Sequence, residues 1–158
     1  MGEEHTLTKL EQIVGKLGAK MRHNVARSSN VYNAKIGPQS NEETDLLGLG
    51  GELAVAKWLN VYPDLTSYAR QGGVDLTSNT GKRIDVKTTK YTTGKLLAKI
   101  NTPYSDIDVF VLVTTVYPVF TVCGWATKEE LIHSDTVANL GYGDTHCLDQ
   151  DKLHTGKF

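Results

Sequence analysis

Asp75, Asp85 and Lys87 are the residues whose types and spacing carry chemistry in this chain. They lie in Val74-Asp75-Leu76-Thr77 and Ile84-Asp85-Val86-Lys87, two segments that alternate apolar and polar side chains as half-buried strands do. Ser78-Asn79-Thr80-Gly81 between them is turn chemistry. A hairpin centred near Thr80 sets Asp75 opposite Asp85, where Cβ atoms are roughly 4.5–5.5 Å apart. Two carboxylates that close repel, and a hard divalent cation with oxygen ligands compensates them. Lys87 shares the face of Asp85 and reaches toward a phosphate or an attacking water. Phosphodiester hydrolysis needs a polarised phosphoryl oxygen, an activated water and a stabilised leaving alkoxide, and one or two divalent ions on carboxylates supply these. The plainer reading is an amphipathic hairpin with a wet polar face, in which the carboxylates splay and Lys87 pairs with one of them.

Other elements must position this hairpin. Val74, Leu76, Ile84 and Val86 form its apolar face, suited to packing on a helix. A helix near 45–60 is marked by Leu46, Leu49, Leu53, Ala56 and Leu59; it carries Glu52, and Gly48, Gly50 and Gly51 permit close packing. A first helix near 7–20 follows from Leu7, Leu10, Val14 and Leu17 with Thr8 and Glu11 as a capping box, and a basic end runs on to Arg27. Residues 28–44 are polar and read as a loop or mobile arm. Downstream, Leu65–Ala69 is β-compatible, and Lys95–Ile100 is strand or short helix. Ile107–Val113 is a nearly continuous apolar run that reads as a buried central strand. Val119–Cys123 pairs back on it, and Thr127 with Glu130 offers another capping box. The division expected is a basic N-terminal helix and polar arm over 1–44 and a nuclease-like core with a C-terminal extension over 45–158, packed as one compact domain overall.

Charge is segregated along the chain although the net is only −1. Residues 12–40 hold five cations and no carboxylate, and 67–100 hold seven cations against Asp75 and Asp85 alone. Such blocks are either solvated faces or a phosphate-binding surface around an acidic cluster. No apolar stretch is long enough for a membrane span, no signal peptide opens the chain, and two cysteines make no disulfide framework. The expectation is an intracellular protein without a membrane partner.

The quoted segments resemble the PD-(D/E)XK nuclease superfamily over roughly Leu46 to Val113. Its elements stand here as Gly51-Glu52 on a helix, Gly72-Gly73-Val74-Asp75 at the first acid, and Ile84-Asp85-Val86-Lys87 at the second acid and lysine. The order of helix, three-stranded meander and further strand is similar too. The resemblance implies an α/β, restriction-endonuclease-like mixed sheet flanked by helices. It implies Glu52, Asp75 and Asp85 as ligands of Mg²⁺ or Mn²⁺, the Val86 carbonyl as a further ligand, and Lys87 as the catalytic lysine. Gly72-Gly73 stands where the family name has a proline. The helix the family often places after the motif strand must be short, moved or replaced by strand, since Thr92-Thr93-Gly94 and Pro103 fall there.

The function expected is a divalent-metal-dependent DNA endonuclease, of the kind found free-standing in phages or mobile elements, including homing endonucleases and junction resolvases. Double-strand cleavage by one small domain implies a homodimer. Arg22, Arg27, Lys35, Lys82, Arg83, Lys90 and Lys95 are the candidate nucleic-acid contacts. The alternatives are a non-catalytic nucleic-acid-binding module on the same fold and an acidic protein-interaction domain. Cys123, His146, Cys147 and His154 lack zinc-ligand spacing.

Overall fold

Thr8 starts the first helix as its sequence requires. Its hydroxyl accepts the N–H of Glu11 at 3.1 Å, and its own N–H donates to Glu11 Oε1 at 2.8 Å, which is the reciprocal capping box. In the computed structural model, which describes residues 2–28, 41–65 and 73–158 and only the backbone of 25–28 and 41, this helix, α1, spans Lys9–Ser28. A second, α2, spans Asn41–Leu59. Asn41–Thr44 thus belong to a helix rather than to the expected loop. Leu65 is described, whereas Thr66–Ala69, Gly72 and the arm over 29–40 lie outside the described residues.

The strands are β1 (Glu3–Thr6), β2 (Leu76–Thr77), β3 (Arg83–Thr89), β4 (Leu96–Lys99), β5 (Val109–Val116), β6 (Val119–Thr127), β7 (Val137–Asn139) and β8 (Asp144–Leu148). A short helix α3, Lys128–Leu131, begins on the expected Thr127–Glu130 capping box. Five strands form a mixed sheet in the order β1-β6-β5-β3-β2, in which β3 and β5 run parallel and the other neighbours antiparallel. A second, antiparallel sheet has the order β4-β8-β7. The segment after the motif strand is therefore a strand, β4, that leaves for the second sheet. The fold is mixed α/β, and no described helix is long and apolar enough to cross a membrane.

The central strand β5 is covered on both faces, which is why it reads as a continuous apolar run. Val109, Val111 and Val113 meet Ile84, Val86 and the Leu53–Ala56 face of α2. Phe110 and Leu112 meet Leu96, Ala98, Tyr104 and Leu131 on the other side. Ile84 and Val86 of β3 thus face α2, and Asp85 and Lys87, which alternate with them, face the second sheet.

Glycines set how closely α2 approaches. A Cβ on Gly50 would stand 2.4 Å from the tip of the fully buried Phe120 ring, and one on Gly51 would stand 1.9 Å from Thr88 Oγ1. Gly48 has nothing within 4 Å. Gly48→Ala is therefore expected to stabilise the protein by up to about 1 kcal/mol through helix propensity. Gly50→Ala gains the same propensity but is expected to lose about 2 kcal/mol net by overpacking. Urea unfolding of the two variants checks the opposite signs.

The periodicity that marks α1 does not mark its buried side. Leu7 is buried, but Leu10 is 70% exposed and Leu17 60%, with Ile13 and Met21 beside them. What α1 buries is a small-residue face: Gly15, Gly18 and Ala19 lie against α2, and a Cβ on Gly18 would stand 2.6 Å from Leu49.

Candidate active site

The β2–β3 hairpin has the register its turn predicts. Leu76 pairs with Ile84 and Thr77 with Arg83, so the turn is centred on Thr80. Gly81, at φ 85°, supplies the left-handed turn residue, and its N–H donates to Ser78 O at 3.0 Å. The regular ladder ends at Leu76. Asp75 sends its N–H to Ile84 O at 2.9 Å, the partner of the next residue, and its carboxylate turns onto β3, where Oδ2 accepts the N–H of Val86 at 2.8 Å. Asp75 and Asp85 are therefore neighbours across the hairpin, but Asp75 is pinned to the backbone rather than standing face to face with Asp85. The same departure sends Val74 to the cluster around Tyr104 instead of the α2 side with Leu76, Ile84 and Val86.

Asp85 is buried, and Lys87 Nζ lies 2.8 Å from its Oδ1. Among the described residues no donor meets that oxygen with good hydrogen-bond geometry, so the contact is an ion pair, a strong counter-charge in a poorly aligned direction. The plain expectation that Lys87 pairs with one carboxylate thus describes the structure. Burial alone would push the Lys87 ammonium below its ordinary range, but the charges of Asp85 and Asp75 and the contact with Asp85 hold it well above. Lys87 is a cation at neutral pH and has no proton vacancy for general-base work. Its Nζ also lies over the Tyr104 ring, 5.7 Å from the centroid. Tyr104 is fixed by the Lys99 N–H, which donates to its hydroxyl at 3.1 Å, and by an edge contact with Phe110. Sequence reading missed Tyr104, because Pro103-Tyr104 lies between elements and joins the site only when the chain returns under β3.

Glu52 stands elsewhere. It lies on α2, across the sheet from Asp85 and Lys87, and Arg22 Nη1 donates to its Oε1 and Oε2 at 3.0 and 3.1 Å. Arg22 also caps the carbonyl of Asp64. Among the described residues no three His, Cys, Asp or Glu side chains gather as a metal cluster. The oxygen donors of the hairpin are Asp75 and Asp85, with Val86 in the ladder to β5 through Val111. Their chemistry fits a hard divalent cation, and the buried Asp85 Oδ1 is the atom such an ion would serve best.

Four of the seven candidate nucleic-acid contacts are held by carboxylates distant in sequence. Besides Arg22, Arg83 makes a forked pair with Asp108 at 3.0 and 3.1 Å, Lys90 pairs with Glu43 at 3.2 Å, and Lys95 pairs with Asp149. Arg83 holds the Asp108 carboxyl down at about 2. Lys82 is exposed with no carboxylate partner among the described residues, as are Lys16 and Lys20 of α1. Lys35 and the side chain of Arg27 lie outside the described residues. Arg22→Ala is expected to cost roughly 3 kcal/mol in a urea titration, the scale for breaking a buried pair. Unchanged stability would return Arg22 to the role of a surface contact.

Of the cysteines and histidines, His146 Nδ1 meets Thr136 Oγ1 at 2.8 Å and His154 meets Glu130 at 2.7 Å. No known protein family, curated protein or solved structure matches the chain.

Proposed function

We propose that this chain is a divalent-metal-dependent DNA endonuclease of the PD-(D/E)XK kind, with Asp75, Asp85 and Lys87 as its catalytic centre. The observation that carries the reading is the hairpin itself: a buried acid and a lysine two residues apart on one face of β3, with Asp75 pinned beside them, on a strand parallel to the buried central strand. Mg²⁺ or Mn²⁺ bound there would polarise the phosphoryl oxygen and activate water. Asp75 and Asp85 would hold the ion, with the Val86 carbonyl as a further ligand. Lys87 would place a fixed positive charge at the reacting phosphate. Glu52 enters this reading only if its pairing with Arg22 gives way, so it is the weakest member of the expected set. A homing endonuclease or junction resolvase of phage or mobile-element origin is the finer form of the proposal. A homodimer would bring two such sites to one duplex, and the exposed Leu10–Ile13–Leu17–Met21 stripe of α1 is the face a second copy would cover.

The test is cleavage of supercoiled plasmid and of branched DNA in Mg²⁺ and Mn²⁺. Because carboxylates already neutralise four of the expected contacts, duplex affinity should fall only moderately with salt. With two to four phosphates engaged, log affinity against log salt should slope by about −2 to −4. A flat plot removes DNA as the partner. The internal pairing of Lys87 with Asp85 favours one second reading, a binding module on the same scaffold; binding with that slope and no cleavage of either substrate would establish it.

A further inference from the structure

We infer that Lys87 is an internal counter-ion that a divalent cation must displace, so that the Asp85–Lys87 pair sets the metal threshold of the site and couples metal entry to release of the lysine; this rests on the nuclease reading above. Asp85 is buried with its side chain 4% exposed, and a buried carboxylate needs a counter-charge. Lys87 supplies it at 2.8 Å from Oδ1. A hard divalent ion binds a carboxylate oxygen at roughly 2.0–2.6 Å. An ammonium and a dication cannot both crowd one carboxylate in a dry site without strong repulsion, and the ammonium is the mobile partner.

The structure gives it somewhere to go. The Lys87 side chain remains 24% exposed on a flexible four-carbon stem, and the Tyr104 face lies 5.7 Å from Nζ. Tyr104 is itself immobilised by the Lys99 N–H and by Phe110, so its ring is a fixed second seat for the charge. Asp75 Oδ2 accepts the Val86 N–H, which fixes that carboxylate beside β3. Without metal the lysine neutralises the buried Asp85 within β3. With metal it is freed from Asp85 and held over Tyr104. The site then presents its full positive charge only when the ion is present.

Mn²⁺ binding to the full chain, read by electron paramagnetic resonance of the free ion, tests this without DNA. Lys87→Met keeps the stem and removes the charge. It should bind Mn²⁺ about tenfold more tightly than the wild type, and its metal-free melting temperature should fall and recover on adding Mn²⁺. Asp85→Asn should not bind. If Lys87→Met does not fold, the wild type carries the test: acylation of the Lys87 amine, read by peptide mass spectrometry, should be slow without metal and faster in Mg²⁺. Equal or weaker Mn²⁺ affinity in Lys87→Met, or amine reactivity unchanged or slowed by Mg²⁺, overturns the latch. Should the variant bind no more tightly while the wild type still cuts DNA, the latch falls and the nuclease reading stands. Tighter binding in a protein that cuts nothing does the reverse, and absence of Mn²⁺ binding in both forms removes the latch together with the metal site.

Discussion

Lys87→Ala protein at saturating Mg²⁺ is expected to cut DNA roughly 100-fold more slowly than the wild type, the scale seen when one preorganised electrostatic group is removed. DNA affinity should barely change, because Lys16, Lys20 and Lys82 remain available. The reason lies in the charge state of Lys87. Asp85 and Asp75 hold its ammonium above the ordinary lysine value of 10.5 against the pull of burial. A group held protonated stabilises developing negative charge; it does not accept a proton from water. The rate should therefore show no rise from Lys87 titration between pH 6 and 9; a divalent ion held by Asp75 and Asp85 would supply any pH dependence there through its bound water. Circular dichroism and a melting curve in Mg²⁺ separate loss of chemistry from loss of fold. A variant that cuts at the wild-type rate would make Lys87 one phosphate contact among many.

The parts of this fold that are legible in the sequence are those fixed by nearby residues. Ser78-Asn79-Thr80-Gly81 sets the β2–β3 register because turn chemistry is local, and both capping boxes form because each joins residues three apart. The β5 run is legible because a strand covered on two faces has no polar side to alternate. What escapes depends on contacts distant in sequence. The polar strand β1 exists because Val119–Val122 of β6 pairs with it. The face α1 buries is chosen by Leu49 and Leu53 on α2, which accept its glycines and leave its leucines outside. The charge blocks misled for the same reason. Arg22 and Glu52 are 30 residues apart, Arg83 and Asp108 are 25, and Lys90 and Glu43 are 47, so windows along the chain separate ions that the fold joins. Within the site, the acid–lysine spacing on β3 was readable, whereas the turning of Glu52 toward Arg22 and the Tyr104 seat beneath Lys87 were not.

Asp75→Asn is expected to fold and to lose at least roughly 100-fold in metal-dependent cleavage, beyond the cost of losing a residue that only supports a ligand. The substitution is chosen on geometry. Asp75 Oδ2 accepts the Val86 N–H at 2.8 Å, and that bond pins the point where β2 leaves the regular ladder. An asparagine oxygen can accept the same N–H, so the pin and the register survive while the negative charge disappears. Asp75→Ala removes both, and should destabilise the protein by about 1–3 kcal/mol because the Val86 N–H loses its partner. The two variants separate the structural role of this side chain from its chemical one. If Asp75 is a ligand, both lose Mn²⁺ affinity and cleavage, and only the alanine variant loses stability. If Asp75 serves the fold alone, Asp75→Asn should bind Mn²⁺ and cut as the wild type does. That outcome would leave Asp85 as the only carboxylate of the hairpin able to hold an ion, too few for a phosphodiester site.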